Sequence, residues 1–158
     1  MKYIQIYKEN QDLYNAILPL WLAYFNELDE ESTADEIIHD LKRRINNQGK
    51  RPNMHFEIFF CDDTPIGFAH FAVITSGSKA GYGFLMEFYI APKFRRKGYG
   101  KLFYEHIEKT LKNDGTQNLF LTCDTITGVP FWIAMGFSES GEIDSDNNLP
   151  VYVKNNAV

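Results

Sequence analysis

Ile90-Ala91-Pro92-Lys93-Phe94-Arg95-Arg96-Lys97-Gly98-Tyr99-Gly100-Lys101 is the stretch on which the reading of this chain turns. It follows an apolar run, Phe84 to Ile90, that reads as a strand. It precedes an amphipathic run, Tyr99 to Leu111, that reads as a helix. Gly98 and Gly100, one residue apart, let the backbone turn tightly and approach a ligand with no Cβ in the way. The helix then opens with free N–H groups aimed at that ligand. Arg95, Arg96, Lys97 and Lys101 add positive charge around those amides. The local chemistry asks for a phosphate or a diphosphate.

Several phosphate loops share this grammar. A dinucleotide fingerprint G-x-G-x-x-G wants a third glycine where Phe103 stands. A P-loop wants a glycine at the place of Arg95 and a Ser or Thr at the place of Leu102. What remains, Arg95-x-x-Gly98-x-Gly100, resembles the acyl-CoA pyrophosphate loop (Q/R-x-x-G-x-G/A) of the GNAT N-acetyltransferase superfamily. The competing readings of the segment are a basic surface turn and a nucleic-acid patch.

Composition constrains the setting. A chain of 158 residues is of single-domain size and can bury one proper core, so the whole of 1–158 reads as one domain. Apolar residues at 44% and charged residues at 23% are globular values. Thirteen Phe and nine Tyr suit a packed core plus an aromatic-lined cleft. The net charge of −5 argues against general nucleic-acid binding, which draws its affinity from basic surface. Cys61 and Cys123 both lie in apolar, strand-like runs and read as small buried hydrophobes in a reducing compartment, not as a disulfide. No signal peptide is read at the polar N-terminus, and no apolar run approaches a membrane span. The expectation is a soluble cytoplasmic protein with no nucleic-acid or membrane partner, compatible with a homodimer.

Tyr3 to Tyr7 alternates as a first strand. From Asp12 to Leu28 apolar residues recur at helical spacing, and Pro19 predicts a kink or a late start. Thr33-Ala34-Asp35-Glu36 is a capping box that opens a second helix with Ile37, Ile38, Leu41 and Ile45 as its buried stripe. His55 to Cys61 and Ile66 to Thr75 are strands joined by a turn at Asp62-Asp63-Thr64-Pro65. A glycine- and serine-rich loop, Ser76 to Gly83, leads into the strand Phe84 to Ile90. On the helix Tyr99 to Leu111, residues Tyr99, Leu102, Phe103, His106, Ile107 and Leu111 form one face. Asn118 to Cys123 is the next strand and completes a βαβ crossover with the glycine loop at the strand's C-terminal end. A short helix, Gly128 to Met135, and a hairpin ending at Val151 to Val153 close the chain.

This order is similar to the GNAT fold over nearly the whole chain. Two more segments carry the resemblance. Glu87-Phe88-Tyr89-Ile90-Ala91-Pro92 looks like the family's fourth strand, which runs into the pyrophosphate loop. Gly128-Val129-Pro130-Phe131-Trp132-Ile133-Ala134-Met135-Gly136-Phe137 looks like its later motif, a short helix ending in Gly-Phe. The resemblance implies an α+β fold with a mixed, mostly antiparallel central sheet, splayed central strands and flanking helices. It implies acetyl-CoA as co-substrate, with the pantetheine arm inserted between the strands 84–90 and 118–123.

Residue by residue, the resemblance implies that backbone groups of Phe88, Tyr89 and Ile90 meet that arm. Amides of Arg96, Lys97, Gly98, Tyr99, Gly100 and Lys101 then hold the diphosphate, and Arg95 orients the loop or touches phosphate. The chemistry is attack of a neutral amine on the thioester, which needs a base, a donor to the developing oxyanion and an acid for the thiolate. A backbone N–H near Tyr89 or Ile90 is the oxyanion donor. Glu87, on the strand face opposite Phe88 and Ile90, is the candidate base through water; its competing role is to bind a cationic acceptor or a neighbouring cation.

One departure matters. Trp132 stands where the family often places a Tyr as the acid, and an indole N–H donates hydrogen bonds without transferring a proton. No general acid is therefore named, and Trp132 reads as a pocket wall. Trp21, Tyr24 and Phe25, with the acidic run Glu27, Asp29, Glu30 and Glu31, lie where the acceptor cleft is usually covered. Such a cleft favours a cationic small-molecule or peptide amine, such as a polyamine or an aminoglycoside. The stronger reading is Trp21 and Phe25 as core stripe and the acids as a solvated turn. The histidines at 39, 55, 70 and 106 show no ligand spacing, so no metal is expected. The rival from another class is an acyl-CoA-binding module without catalysis, acting as sensor or assembly partner.

Overall fold

The computed structural model describes residues 1–28 and 31–156, so Asp29 and Glu30 of the acidic run lie outside the described residues. The elements run β1 (Lys2–Gln5), α1 (Gln11–Glu27), α2 (Ala34–Asn47), β2 (Met54–Cys61), β3 (Thr64–Val73) and β4 (Gly83–Ile90). After a 3₁₀ turn at Pro92–Phe94 come α3 (Tyr99–Asn113), β5 (Asn118–Thr122), α4 (Gly128–Ala134), β6 (Ser138–Ile143) and β7 (Pro150–Asn155). The fold is α+β, a central and mostly antiparallel sheet flanked by helices. Two compact units are formed, Met1–His70 with Glu87–Gly100, and Phe71–Met86 with Lys101–Val158.

In the first unit the strand order is β1-β2-β3-β4, with β1 antiparallel to β2 and Lys2 opposite Phe60. The Asn10 side chain accepts from the Leu13 N–H and caps α1, so the helix starts at Gln11 and runs through Pro19 as one element. The late start expected at Pro19 does not occur. Its Ile17, Trp21 and Phe25 recur every fourth residue and are buried. Leu41 and Ile45 of α2, Phe56 and Ile58 of β2, Phe68 of β3 and Tyr89 of β4 complete that core. Trp21 fits as a core residue because its indole N–H donates to the Ile37 carbonyl at 3.0 Å. The capping box at the start of α2 is present in both directions, Thr33 with the Glu36 N–H and Glu36 with the Thr33 N–H.

In the second unit the order is β3-β4-β5-β7-β6. β4 and β5 are parallel, with Gly83 opposite Leu119 and Phe84 opposite Phe120, and the Phe84 and Phe120 rings stack at 4.4 Å. A parallel pair needs a crossover, and α3 supplies it. On α3 the buried face is Phe103, Tyr104, Ile107 and Leu111, whereas Leu102, expected on that face, is 45% exposed. Tyr104 takes the place because its phenol is satisfied inside: it donates to Glu108 and accepts from the Lys154 ammonium at 3.2 Å. Lys154 also donates to Glu108 at 2.5 Å and to the Met135 carbonyl at the end of α4 at 2.8 Å. Burial, foremost, and the bond to Glu108 push the Tyr104 phenol well above its ordinary value.

Thr33→Ala removes one half of the capping box and should cost about 1 kcal/mol. The urea midpoint is expected to fall with the m-value unchanged. An unaltered midpoint would mean that the box adds nothing to the stability of the folded chain.

Candidate active site

The glycine loop leaves β4 through the 3₁₀ turn and reaches α3 within the first unit. Arg96 has φ +61° and Gly98 has φ +86°. Successive backbone N–H groups in a turn of this kind make a concave amide nest that binds anions. A Cβ at Gly98 would meet nothing within 4 Å, so glycine is favoured there by its backbone angle, and the space above the loop is open. Arg96 and Lys97 are exposed beside it, and Lys101 is exposed in the first turn of α3. Backbone N–H groups, open space and the cations of Arg96 and Lys97 fit a diphosphate.

Arg95 has other work. Its Nη1 and Nη2 donate to the two Glu27 carboxylate oxygens at 2.7 and 2.9 Å, and its Nε donates to the Ile90 carbonyl at 2.7 Å. The guanidinium also lies 5.4 Å from the centre of the Tyr89 ring. These contacts tie Arg95 to the end of α1 and the end of β4. Tyr99 faces the Cys61 thiol, with oxygen and sulfur 3.5 Å apart, and both cysteines are free.

Glu87 and Tyr89 share the face of β4 that meets α1. Tyr24 bonds the one and touches the other, its phenol donating to Glu87 Oε2 at 3.2 Å and its ring centre 5.5 Å from that of Tyr89. On α2, Arg44 Nη1 stands 4.0 Å from the same Glu87 oxygen, and Arg44 Nε donates to Asp40 at 3.1 Å. Arg44 Nη1 is also 3.3 Å from His70 Nδ1 on β3. Since guanidinium only donates, Nδ1 is the acceptor and the proton of the neutral ring sits on Nε2. That Nε2 is buried without a hydrogen-bond partner among the described residues. Burial first, then the charges of Arg44, Arg43 and Arg51, push His70 down to about 3. The first unit thus brings the Glu87 carboxylate to the Tyr24 phenol and the Arg44 guanidinium, and Arg44 in turn to Asp40 and the neutral His70 imidazole.

The structure separates the aromatic candidates. Trp21 is wholly buried and Phe25 is 7% exposed, both inside the core. Tyr24 alone of the three presents a polar group to Glu87. Trp132 lies in the second unit, buried against Tyr104, Phe131 and Phe137. Phe88, Tyr89 and Ile90 lie at the C-terminal end of β4, and Tyr89 and Ile90 are buried there. Sequence reasoning missed Arg44 and Asp40, whose i,i+4 spacing on a helix looks like any surface ion pair. It also missed the link from Glu27 to Arg95. Among the described residues no group of three His, Cys, Asp or Glu could hold a metal ion, and no helix is long and apolar enough to cross a membrane.

The chain belongs to the GNAT acetyltransferase family, whose sequence model matches residues 12–137. No curated protein sequence matches it. Solved structures repeat its fold. The PaiA N-acetyltransferase of Thermoplasma acidophilum, in complex with coenzyme A, is 21% identical with a TM-score of 0.72 over 98% of each chain. An acetyltransferase of Thermus thermophilus is 19% identical with a TM-score of 0.73, over 98% of this chain and 96% of that one. The aminoglycoside antibiotic 6'-N-acetyltransferase of Acinetobacter haemolyticus is 16% identical with a TM-score of 0.67, over 91% and 95%.

The buried imidazole has a consequence for stability. Unfolded, His70 takes a proton near 6.5; folded, it does so only near about 3. Between those values the unfolded chain binds the extra proton, so stability present above pH 6.5 is lost as the pH falls. His70→Gln should flatten this part of the profile of urea midpoint against pH. Equal slopes in the two proteins would show that the ring is not held neutral.

Proposed function

We propose that this protein transfers an acetyl group from acetyl-CoA to a primary amine of a small molecule or peptide. The observation that carries the reading is on β4. One strand delivers the partnered carboxylate of Glu87 and, after Ile90, leads directly into the amide nest of Arg96 and Gly98. Amides of residues 96–101 would hold the diphosphate, with Arg96, Lys97 and Lys101 neutralising it. Backbone groups of Phe88 and Ile90 would pair with the pantetheine arm. Glu87 takes the proton of the acceptor ammonium through water, and the Ile90 N–H faces the charge that develops on the acetyl oxygen. A bond forms from the amine nitrogen to the acetyl carbon as the carbon–sulfur bond breaks. The products are the amide, the thiol of CoA and one proton.

The acceptor class is tested by thiol release from acetyl-CoA with spermidine, kanamycin and a lysine-containing peptide. The fold shared with an aminoglycoside acetyltransferase puts kanamycin in that set. Binding of acetyl-CoA with no thiol release on any amine would favour the non-catalytic acyl-CoA-binding module instead.

Acetyl-CoA should raise the melting temperature by binding the native state alone, and Gly98→Glu should abolish that rise. A folded Gly98→Glu protein with unchanged affinity would move the cofactor site elsewhere.

Glu87→Gln keeps size and hydrogen bonding but removes the basic site, so kcat should fall about 10²-fold with acetyl-CoA affinity unchanged. The loss should shrink as pH rises and more acceptor arrives neutral. A raised KM with kcat spared, weakening in salt, would instead make Glu87 an anchor for a cationic acceptor.

A further inference from the structure

Gly67 lies in β3, and a Cβ built on it would stand 2.3 Å from the Tyr89 carbonyl oxygen, 2.9 Å from Ile90 Cδ1 and 3.3 Å from the Tyr89 carbonyl carbon. A carbon atom cannot sit 2.3 Å from a carbonyl oxygen, and this oxygen is backbone, not the tip of a side chain that could swing aside. Gly67 is not among the residues with positive φ, so space and not backbone angle demands glycine here. An isolated glycine in a strand often marks such a close backbone approach.

The contact fixes more than the carbonyl. No peptide bond among the described residues is cis, so the C=O of Tyr89 and the N–H of Ile90, which share one planar peptide unit, point in opposite directions. With the carbonyl aimed at Gly67 of β3, the Ile90 N–H is aimed away from β3. The next peptide unit is held at both ends. The Ala91 N–H donates to the Ile66 carbonyl at 2.8 Å, and the Ile90 carbonyl accepts from Arg95 Nε at 2.7 Å.

We propose that Gly67 is a positioning residue for catalysis: its bare α-carbon lets the Tyr89–Ile90 peptide adopt the orientation that presents the Ile90 N–H to the acetyl carbonyl oxygen. The proposal rests on the N-acetyltransferase reading. A donor fixed before charge develops stabilises that charge without reorganising, and any side chain at 67 displaces the peptide that carries the donor.

The experiment compares Gly67→Ala with Gly83→Ala. At Gly83 a Cβ would stand 2.7 Å from Leu119 Cδ2 and 2.9 Å from Leu111 Cδ1, side-chain tips in the second unit that can yield. Gly83→Ala should therefore lower the melting temperature and keep kcat. Gly67→Ala should lose about 10²-fold in kcat with spermidine, kanamycin or the lysine peptide, a loss larger than any weakening of acetyl-CoA binding, since the diphosphate contacts of the glycine loop are kept. Wild-type kcat in a folded Gly67→Ala protein would overturn the proposal.

Should Gly67→Ala fail to fold, the ¹⁵N–¹H resonance of Ile90 in the wild-type protein decides. It should move with acetyl-CoA beyond its position with CoA, and identical positions would overturn the proposal. A wild-type protein inactive on all three amines would count against the transferase reading itself, while the same resonance still reports whether the Ile90 N–H meets the acetyl group.

Discussion

The guanidinium of Arg95 joins the end of α1, the end of β4 and the glycine loop. Two of its nitrogens are spent on Glu27, the third on the Ile90 carbonyl, and its face lies over Tyr89. A planar fork with N–H groups on three nitrogens can serve all of these at once, which an ammonium cannot. Arg95 is 36% exposed and Glu27 42%, so the ion pair itself adds little to stability. Its value is directional. The peptide after Ile90 is held at its carbonyl end by this side chain, and the left-handed angles of Arg96 and Gly98 follow from that fixed start.

What the sequence made legible was local, and so was the physics. The capping box of α2 needs only four consecutive residues to be recognised, and it forms as read. Of the two glycines expected to let the chain turn tightly, Gly98 takes a left-handed angle, whereas Gly100 lies in the first turn of α3 and is not among the residues with positive φ. Glu87 could be set on the face opposite Phe88 and Ile90 because strands alternate, and the Tyr24 contacts to Glu87 and Tyr89 agree.

What was hidden depends on pairs distant in the chain. Arg44 meets His70 across 26 positions and Arg95 meets Glu27 across 68, and no periodicity encodes which elements cross. Trp21 and Phe25 show a subtler limit. A stripe of aromatics at helical spacing marks the apolar face of α1, but a cleft wall and a core are equally apolar, and only burial separates them. Gly67 did leave a trace, as a lone glycine among large strand residues, but its meaning rests on a carbonyl 22 residues later in the chain.

The knot around Lys154 bears on a hazard common to proteins that handle thioesters. An amine attacks an activated acyl group with its lone pair, as the free base. Each N–H bond of the Lys154 ammonium is already aimed at an oxygen, those of Tyr104, Glu108 and Met135. To become a nucleophile the side chain would have to give up a proton to one of these partners and turn away from the carbonyl that ends α4. Held in this way, Lys154 ties β7 to α3 and to the end of α4, and acylation would cost it those contacts.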